Sequence, residues 1–186
     1  GHRRRAMTRA VSAQLTLIGV SETVRRDLLR RFPGFPTQRV KALPNAVCER
    51  PLLERSQALA QLHLSPRCFW YGSVGRLVAI KGYDVLIRAF APLARALPHV
   101  GLALIGAGNE ERSLRALSHD LGIGEQVVFC GWRTDAHSLL SAFDVCVFPS
   151  REEGFGLAIA EAMAAGRPVL ASQVGGVPEV VAQDAL

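Results

Sequence analysis

From Cys68 onward, short apolar runs alternate with amphipathic stretches. "CFWYGSVG" (68–75), "VGLALIG" (100–106), "QVVFCG" (126–131), "DVCVFPS" (144–150) and "RPVLAS" (167–172) read as strands. Between them, "YDVLIRAFAPLARAL" (83–97), "NEERSLRALSHDLG" (109–122), "DAHSLLSAF" (135–143) and the stretch from Leu157 read as helices, and "VPEVVAQ" (177–183) opens another. Strand-helix alternation predicts an α/β fold with a parallel sheet. The runs are continuously apolar, as in strands covered on both faces by helices. In such sheets ligands bind at the carboxyl ends of the strands. Before Cys68, "SAQLTLIGV" (12–20) reads as a strand, and Ser21 caps a helix "ETVRRDLLRRF" with an apolar stripe of Val24, Leu28 and Leu29. "RVKAL" (39–43) is a second short strand stopped by Pro44-Asn45, and 46–67 is a connector with a short helix around "LLERSQALAQL". The division this implies is 1–46 as one part and 47–186 as a Rossmann-like domain.

One carboxylate breaks the pattern. Leu157, Ala160, Glu161 and Ala164 fall at i, i+3, i+4 and i+7, so Glu161 is expected on an inward, otherwise apolar face. Unpaired carboxylates are rarely buried. Glu161 is therefore either a snorkelling or Arg-paired residue or aimed at a ligand. Glu153 precedes the same helix, and the non-helical lead-in lets both carboxylates line one cleft. A carboxylate accepts two hydrogen bonds from the vicinal diol of a ribose or hexose.

The loops after strands hold the remaining chemistry. "GRLVAIKG" (75–82) puts Gly75, Arg76 and Lys81 at a strand end ahead of a helix N-terminus, which suits a diphosphate. It is neither a P-loop nor a G-x-G-x-x-G fingerprint, and a basic loop with a turn glycine fits the same residues. "GAGNEE" (106–111) is a weaker glycine turn. In "PSREEGFGLAIAE", the amides of Gly154, Phe155, Gly156 and Leu157 can meet an anion or a sugar hydroxyl at the helix start.

Bulk properties narrow the classes. The 186 residues are 49% hydrophobic and 20% charged, which suits one domain with a core and part of another. The net charge of +6 is uneven: residues 1–50 hold 11 Lys and Arg against 3 Asp and Glu, whereas 51–186 hold 11 against 13. The basic excess could face an anionic membrane surface or solvent. A nucleic-acid role is disfavoured by that distribution and by the lack of an RRM, KH or helix-turn-helix pattern. No run of about 18 apolar residues exists, and "GHRRRAMTRA" lacks the apolar segment of a signal peptide. Cys48, Cys68, Cys130 and Cys146 show no CxxC pairing and are expected as buried free thiols of a cytoplasmic protein. The His residues have no metal-ligand spacing and no D-x-D occurs, so no metal is expected.

The order G-R-x-x-x-x-K-G, then E-G-F-G-L-x-x-x-E-A-M-A-x-G-x-P-V, then "VGGVPE" resembles the retaining glycosyltransferases of family 4. The resemblance begins near "VSETV", passes "LPNAV" and runs to the last residue. It implies a GT-B fold of two Rossmann-like domains, with most of this chain as the donor-binding half. It implies that Arg76 and Lys81 hold the diphosphate of a nucleotide sugar, that Glu161 accepts from the ribose and Glu153 from the donor sugar, and that amides from Gly154 to Leu157 contact phosphate or sugar. Gly75 would allow close approach, and Arg133 and Asp135 in "GWRTD" would lie near the base. Transfer would need no metal. By the same resemblance, residues 1–46 are the end of an acceptor domain with the interdomain strand, and the sheet domain stops early. The chain then acts as a fragment that needs the missing acceptor domain or self-association through the Val24, Leu28 and Leu29 stripe, with peripheral membrane contact through the basic segment at the inner membrane face. A non-catalytic nucleotide-sugar-binding or assembly module would carry the same motifs.

Overall fold

The computed structural model describes residues 15–181. They divide into two compact units: the first comprises 15–46, 153–156 and 173–181, and the second 47–152 and 157–172. The sequence places one boundary after residue 46; contacts add three further crossings, so a four-residue loop and the last described segment group with the N-terminal unit. The basic residues before 15, the first residues of the 12–20 strand, and the stretch after 181 lie outside the described residues.

The first unit contains strands β1 (Leu17–Gly19) and β2 (Val40–Ala42), paired parallel with Leu17 opposite Val40. Helix α1 (Glu22–Arg31) connects them. Its cap is the expected one: the Ser21 hydroxyl accepts from the Val24 N–H. No residue of α1 is fully buried, so Val24, Leu28 and Leu29 form a half-covered stripe rather than a core seam.

The second unit opens with α2 (Arg55–Gln61) and builds a five-stranded parallel sheet. Its strands are β3 (Phe69–Val74), β4 (Val100–Ile105), β5 (Val127–Gly131), β6 (Val145–Phe148) and β7 (Val169–Ala171), in the order β5-β4-β3-β6-β7. Helices α3 (Tyr83–Ala96), α4 (Glu111–Asp120) and α5 (Leu157–Ala164) follow β3, β4 and β6. The period-2 alternation of β4 builds two different layers. Val100, Leu102 and Leu104 join Ile87, Phe90, Ala91 and Ala94 of α3 and Leu114 of α4 in one core cluster. On the alternate positions, Gly72 and Gly101 leave room for the Phe143 and Trp70 rings, which an added Cβ would meet.

The parallel sheet is flanked by helices, as the apolar strand runs imply: β4 is buried along its whole length, and Leu170 of the edge strand β7 is 60% exposed. Three expectations need correction. The stretch 135–143 is not an α-helix but turns and a 3-10 helix, Leu140–Ala142, in which Leu140 donates to His137 and Phe143 to Leu140. Three residues per turn place Leu140 and Phe143 above one another, and both are buried. In α5 the inward residues are Ile159 and Ala162, followed by Ala165; Leu157 is 45% exposed, Ala164 is exposed, and Ala160 and Glu161 are half-buried. "LAIAEAMA" is apolar almost all round, so the i, i+3, i+4, i+7 template matches two faces and the sequence alone selected the outer one. Of the four free thiols only Cys146 is buried, and Cys48 is exposed.

Candidate functional site

The order β5-β4-β3-β6-β7 contains one change of direction. The chain moves from β3 outward to β4 and β5, then returns to the other side of β3 for β6 and moves outward again to β7. The crossovers after β3 and β6 therefore leave in opposite directions, which opens a crevice at the carboxyl ends of these two strands. The first strong motif and the lead-in to the second follow these strands. Gly75 to Gly82 follow β3, and Pro149 to Glu152 follow β6.

The loop after β3 presents cations. Gly75 donates to the Ile105 carbonyl, which continues the sheet pairing one residue beyond the strand. Arg76 is exposed, and its guanidinium has no hydrogen bond or ion pair among the described residues. The chain then turns through a 3-10 helix, Ala79–Lys81, and enters α3 at Gly82. Gly82 has φ +68, and a Cβ there would fall against the Pro149 carbonyl oxygen, so this position requires glycine twice over. Lys81 is half-buried at the start of α3, where the helix dipole adds to its charge.

Glu161 also belongs to the second unit, and its carboxylate has no hydrogen bond or ion pair among the described residues. The Arg-paired alternative is thus absent from the described contacts. Leu157 begins α5 in the same unit.

Glu153, Gly154, Phe155 and Gly156 fall in the first unit, and the carbonyls of the first two are held there. Gly176 N–H donates to the Glu153 carbonyl at 2.9 Å, and the Ser21 hydroxyl donates to the Gly154 carbonyl at 2.7 Å. Gly175 has φ +54 and its missing Cβ would overlap the Glu153 carbonyl oxygen. The first two carbonyls of this loop are thus satisfied. Its amides, from Gly154 through Leu157, have no acceptor among the described residues. A run of unpaired N–H groups ahead of a helix favours an anion or a hydroxyl oxygen.

Glu179 completes the arrangement and carried no sequence signal beyond its place in "VGGVPE". It stands in α6 (Val177–Val180) and accepts from the Glu22 N–H at 2.7 Å, the Thr23 N–H at 2.9 Å and the Thr23 hydroxyl at 2.8 Å. Burial pushes its carboxyl up, but these three donors outweigh burial and hold it below the usual range. It closes the N-terminus of α1, which carries the Ser21 that holds Gly154.

Arg133 and Asp135 are paired with each other by two bonds of 2.8 Å, and Arg133 also reaches the Gln61 side-chain oxygen at 3.0 Å. The pair lowers the Asp135 carboxyl and raises Arg133. Trp132 beside them is 71% exposed. Burial pushes the Cys130 thiol up to about 11 and Cys146 up to about 12, so neither is poised as a thiolate. Among the described residues no helix is long and apolar enough to cross a membrane.

The sequence and the fold both match known proteins. The chain is 35% identical over 137 residues to a D-inositol 3-phosphate glycosyltransferase of Segniliparus rotundus, covering 69% of this chain and 30% of that enzyme. It is 39% identical over 119 residues to a GDP-mannose-dependent alpha-(1-6)-phosphatidylinositol monomannoside mannosyltransferase of Mycolicibacterium smegmatis, covering 58% of this chain and 31% of that enzyme. The chain thus spans about a third of the length of these relatives. Among solved structures, Anabaena HepE in complex with UDP and glucose superposes with a TM-score of 0.78 at 29% identity, over 89% of this chain and 46% of HepE. WaaG, a glycosyltransferase involved in lipopolysaccharide biosynthesis, gives 0.80 at 25%, over 90% of this chain and 46% of its own. The parallel sheet with flanking helices is that of GT-B glycosyltransferases. The family model for glycosyl transferases group 1 matches residues 69–186, more than half of the sequence, and the chain belongs to that family.

Proposed function

We propose that this chain binds the nucleotide-diphosphate-sugar donor of a retaining, metal-independent glycosyltransferase of family 4, which transfers a hexosyl group to an acceptor. The observation that carries the reading is the Arg76 guanidinium, without a partner among the described residues, on the loop after β3 at the change of strand direction. The HepE structures with UDP and with UDP-glucose, and the GDP-mannose named for the mycobacterial relative, support a nucleotide-sugar ligand. Cleavage of a glycosyl–phosphate bond leaves growing negative charge on the diphosphate. Arg76, Lys81 and the N-terminus of α3 supply fixed positive charge for it, which is electrostatic stabilisation by preorganised groups. Gly75 lets the phosphates approach the backbone. The amides of Gly154, Phe155, Gly156 and Leu157 take phosphate or sugar oxygens, Glu161 accepts from the ribose diol, and Glu153 accepts from the donor sugar. Arg133 and Asp135, locked in their own pair, shape the base end through the backbone of their loop.

Titration calorimetry with UDP and GDP tests the reading. Arg76→Ala and Lys81→Ala are each expected to weaken at least one nucleotide by about 1.5–3 kcal/mol, the value of a hydrogen bond to a charged group. Binding is expected to be the same in EDTA and in manganese. Affinities unmoved by both substitutions would remove the diphosphate site, and binding that needs manganese would remove metal independence.

A further inference from the structure

The two loops at the carboxyl ends of β3 and β6 are joined by one side chain that the donor reading does not use. Arg151 follows β6, and all of its contacts below lie in the second unit. Its Nη2 donates to Asp84 Oδ2 at 2.7 Å, and its Nη1 donates to the Ala79 carbonyl at 2.6 Å. Its backbone N–H donates to the Ile80 carbonyl at 2.8 Å. Ala79 and Ile80 are the first two residues of the 3-10 turn whose third is Lys81, and Asp84 stands in the first turn of α3. Arg151 therefore grips the lysine's turn from both sides in sequence, two residues before Lys81 and three after it. Pro149 adds a close backbone approach at Gly82, the residue next to Lys81.

We infer that Arg151 and Asp84 are positioning residues that fix Lys81 for the diphosphate, acting through the turn rather than on the ligand. The guanidinium is committed to a carboxylate and a carbonyl, and the hydrogen bond to Arg151 holds the Asp84 carboxyl below its usual range. A charged group so engaged has little to offer a phosphate. A lysine on a flexible stem gains most from a fixed backbone, because its ammonium imposes no geometry of its own. The reach of a turn set by a planar fork is also directional: Arg can bind Asp84 and Ala79 together, whereas Lys at 151 would have a single ammonium to divide between them. The inference rests on the diphosphate role of Lys81, and the experiment separates the two.

Two measurements on the whole chain decide it. Hydrogen exchange without ligand reads the clamp alone: Arg151→Ala and Asp84→Asn are each expected to speed exchange at the Lys81, Gly82, Val85 and Leu86 amides, with the β4 amides unchanged. UDP and GDP titrations read the consequence. Arg151→Ala is expected to weaken binding about three- to fivefold, the scale of an exposed ion pair, with Asp84→Asn similar and Arg151→Lys partly restored. The double variant Lys81→Ala/Arg151→Ala should bind no more weakly than Lys81→Ala alone. Unchanged exchange in both Arg151→Ala and Asp84→Asn overturns the clamp, whatever the nucleotides do. Faster exchange with additive losses in the double variant overturns the indirect role and makes Arg151 a ligand contact. Faster exchange with no loss of affinity in Lys81→Ala overturns the diphosphate reading and the positioning role with it. Asp84→Asn preserves side-chain volume, so it keeps the test informative if Arg151→Ala fails to fold.

Discussion

The loop after β3 and the loop 153–156 are held by different means. The first rests on a sheet whose strand β4 is buried along its whole length, and a charged side chain, Arg151, sets its shape. The second belongs to a unit with two buried strand residues, Gly19 and Val40, and a helix with no fully buried residue, and the hydrogen bonds described above fall on its backbone. Gly176 N–H and the Ser21 hydroxyl take its first two carbonyls, and Gly175 touches it where a side chain would not fit. Both loops meet backbone where a methyl group would not fit, at Gly82 and at Gly175, and the first depends on the Arg151 charge as well. The physical reason is packing: without a core to absorb displacement, close backbone contact is the remaining source of rigidity.

The largest effect expected from this contrast is at Gly175. Gly175→Ala places a Cβ at φ +54 against the Glu153 carbonyl oxygen, so the loop or the turn must move. Strain and displacement together should destabilise the first unit by about 2–4 kcal/mol. Exchange at the Gly176 amide should rise sharply, while β3 and β4 amides stay protected. Equal loosening of both units would erase the contrast. Wild-type exchange at Gly176 would mean that the close approach has no mechanical role.

The carboxylates come next and sharpen the comparison chemically. Glu161 lies in the second unit without a partner among the described residues, and the proposed reading gives it the ribose of the donor. Glu161→Gln should weaken UDP or GDP by about 1–2 kcal/mol while leaving the melting temperature in place, because no described contact is lost. Glu153→Gln should leave nucleoside diphosphate affinity intact and weaken the corresponding nucleotide sugar, since its assigned contact is the sugar. The reverse pattern in calorimetry would exchange the two roles. A fall in melting temperature for Glu161→Gln with intact affinity would make Glu161 a structural residue.

How much of this was legible in the sequence follows from the kind of signal each residue leaves. The five strands of the second unit, their parallel class and the Ser21 cap were readable, because apolar runs and a capping hydroxyl before a helix are local patterns. The α5 face was misread because Leu157, Ala160 and Ala164 match the helical period as well as Ile159 and Ala162 do. Residues 135–143 were misread because Leu139, Leu140, Ala142 and Phe143 are all buried, and so dense an apolar run does not separate three residues per turn from 3.6. In the candidate site, Gly75, Arg76 and Lys81 stood out through glycine and charge at a strand end. Arg151 and Glu179 did not, since each acts on backbone far away in sequence: 72 residues from Ala79, and 157 from Glu22.

Glu179 gives the smallest effect, and a pH dependence that checks how the first unit is held. Its carboxyl lies below the ordinary range because the Glu22 and Thr23 donors outweigh burial, with Arg26 adding a little. A carboxyl lowered by folding contributes stability that is fully present above its unfolded pKa and is lost as pH falls through the lower folded one. The side chain is exposed, so solvent screens the contribution, and a helix-capping value of a few tenths to about 1 kcal/mol is expected. Glu179→Gln removes the charge and keeps one acceptor. At neutral pH the variant should show faster exchange at the Glu22 and Thr23 amides and a slightly lower urea midpoint than wild type. Below the folded pKa the wild-type carboxyl is itself neutral, and the two midpoints should converge. The neighbouring Glu22 carboxyl is lowered mainly by its own bond to Arg25, but the Glu179 charge raises it, so part of the difference between the two proteins belongs to Glu22. A difference that grows as pH falls has the wrong sign for a cap by ionised Glu179. A difference independent of pH would assign the effect to packing of the side chain, and the first unit would then be held by the glycine contacts and Ser21 alone.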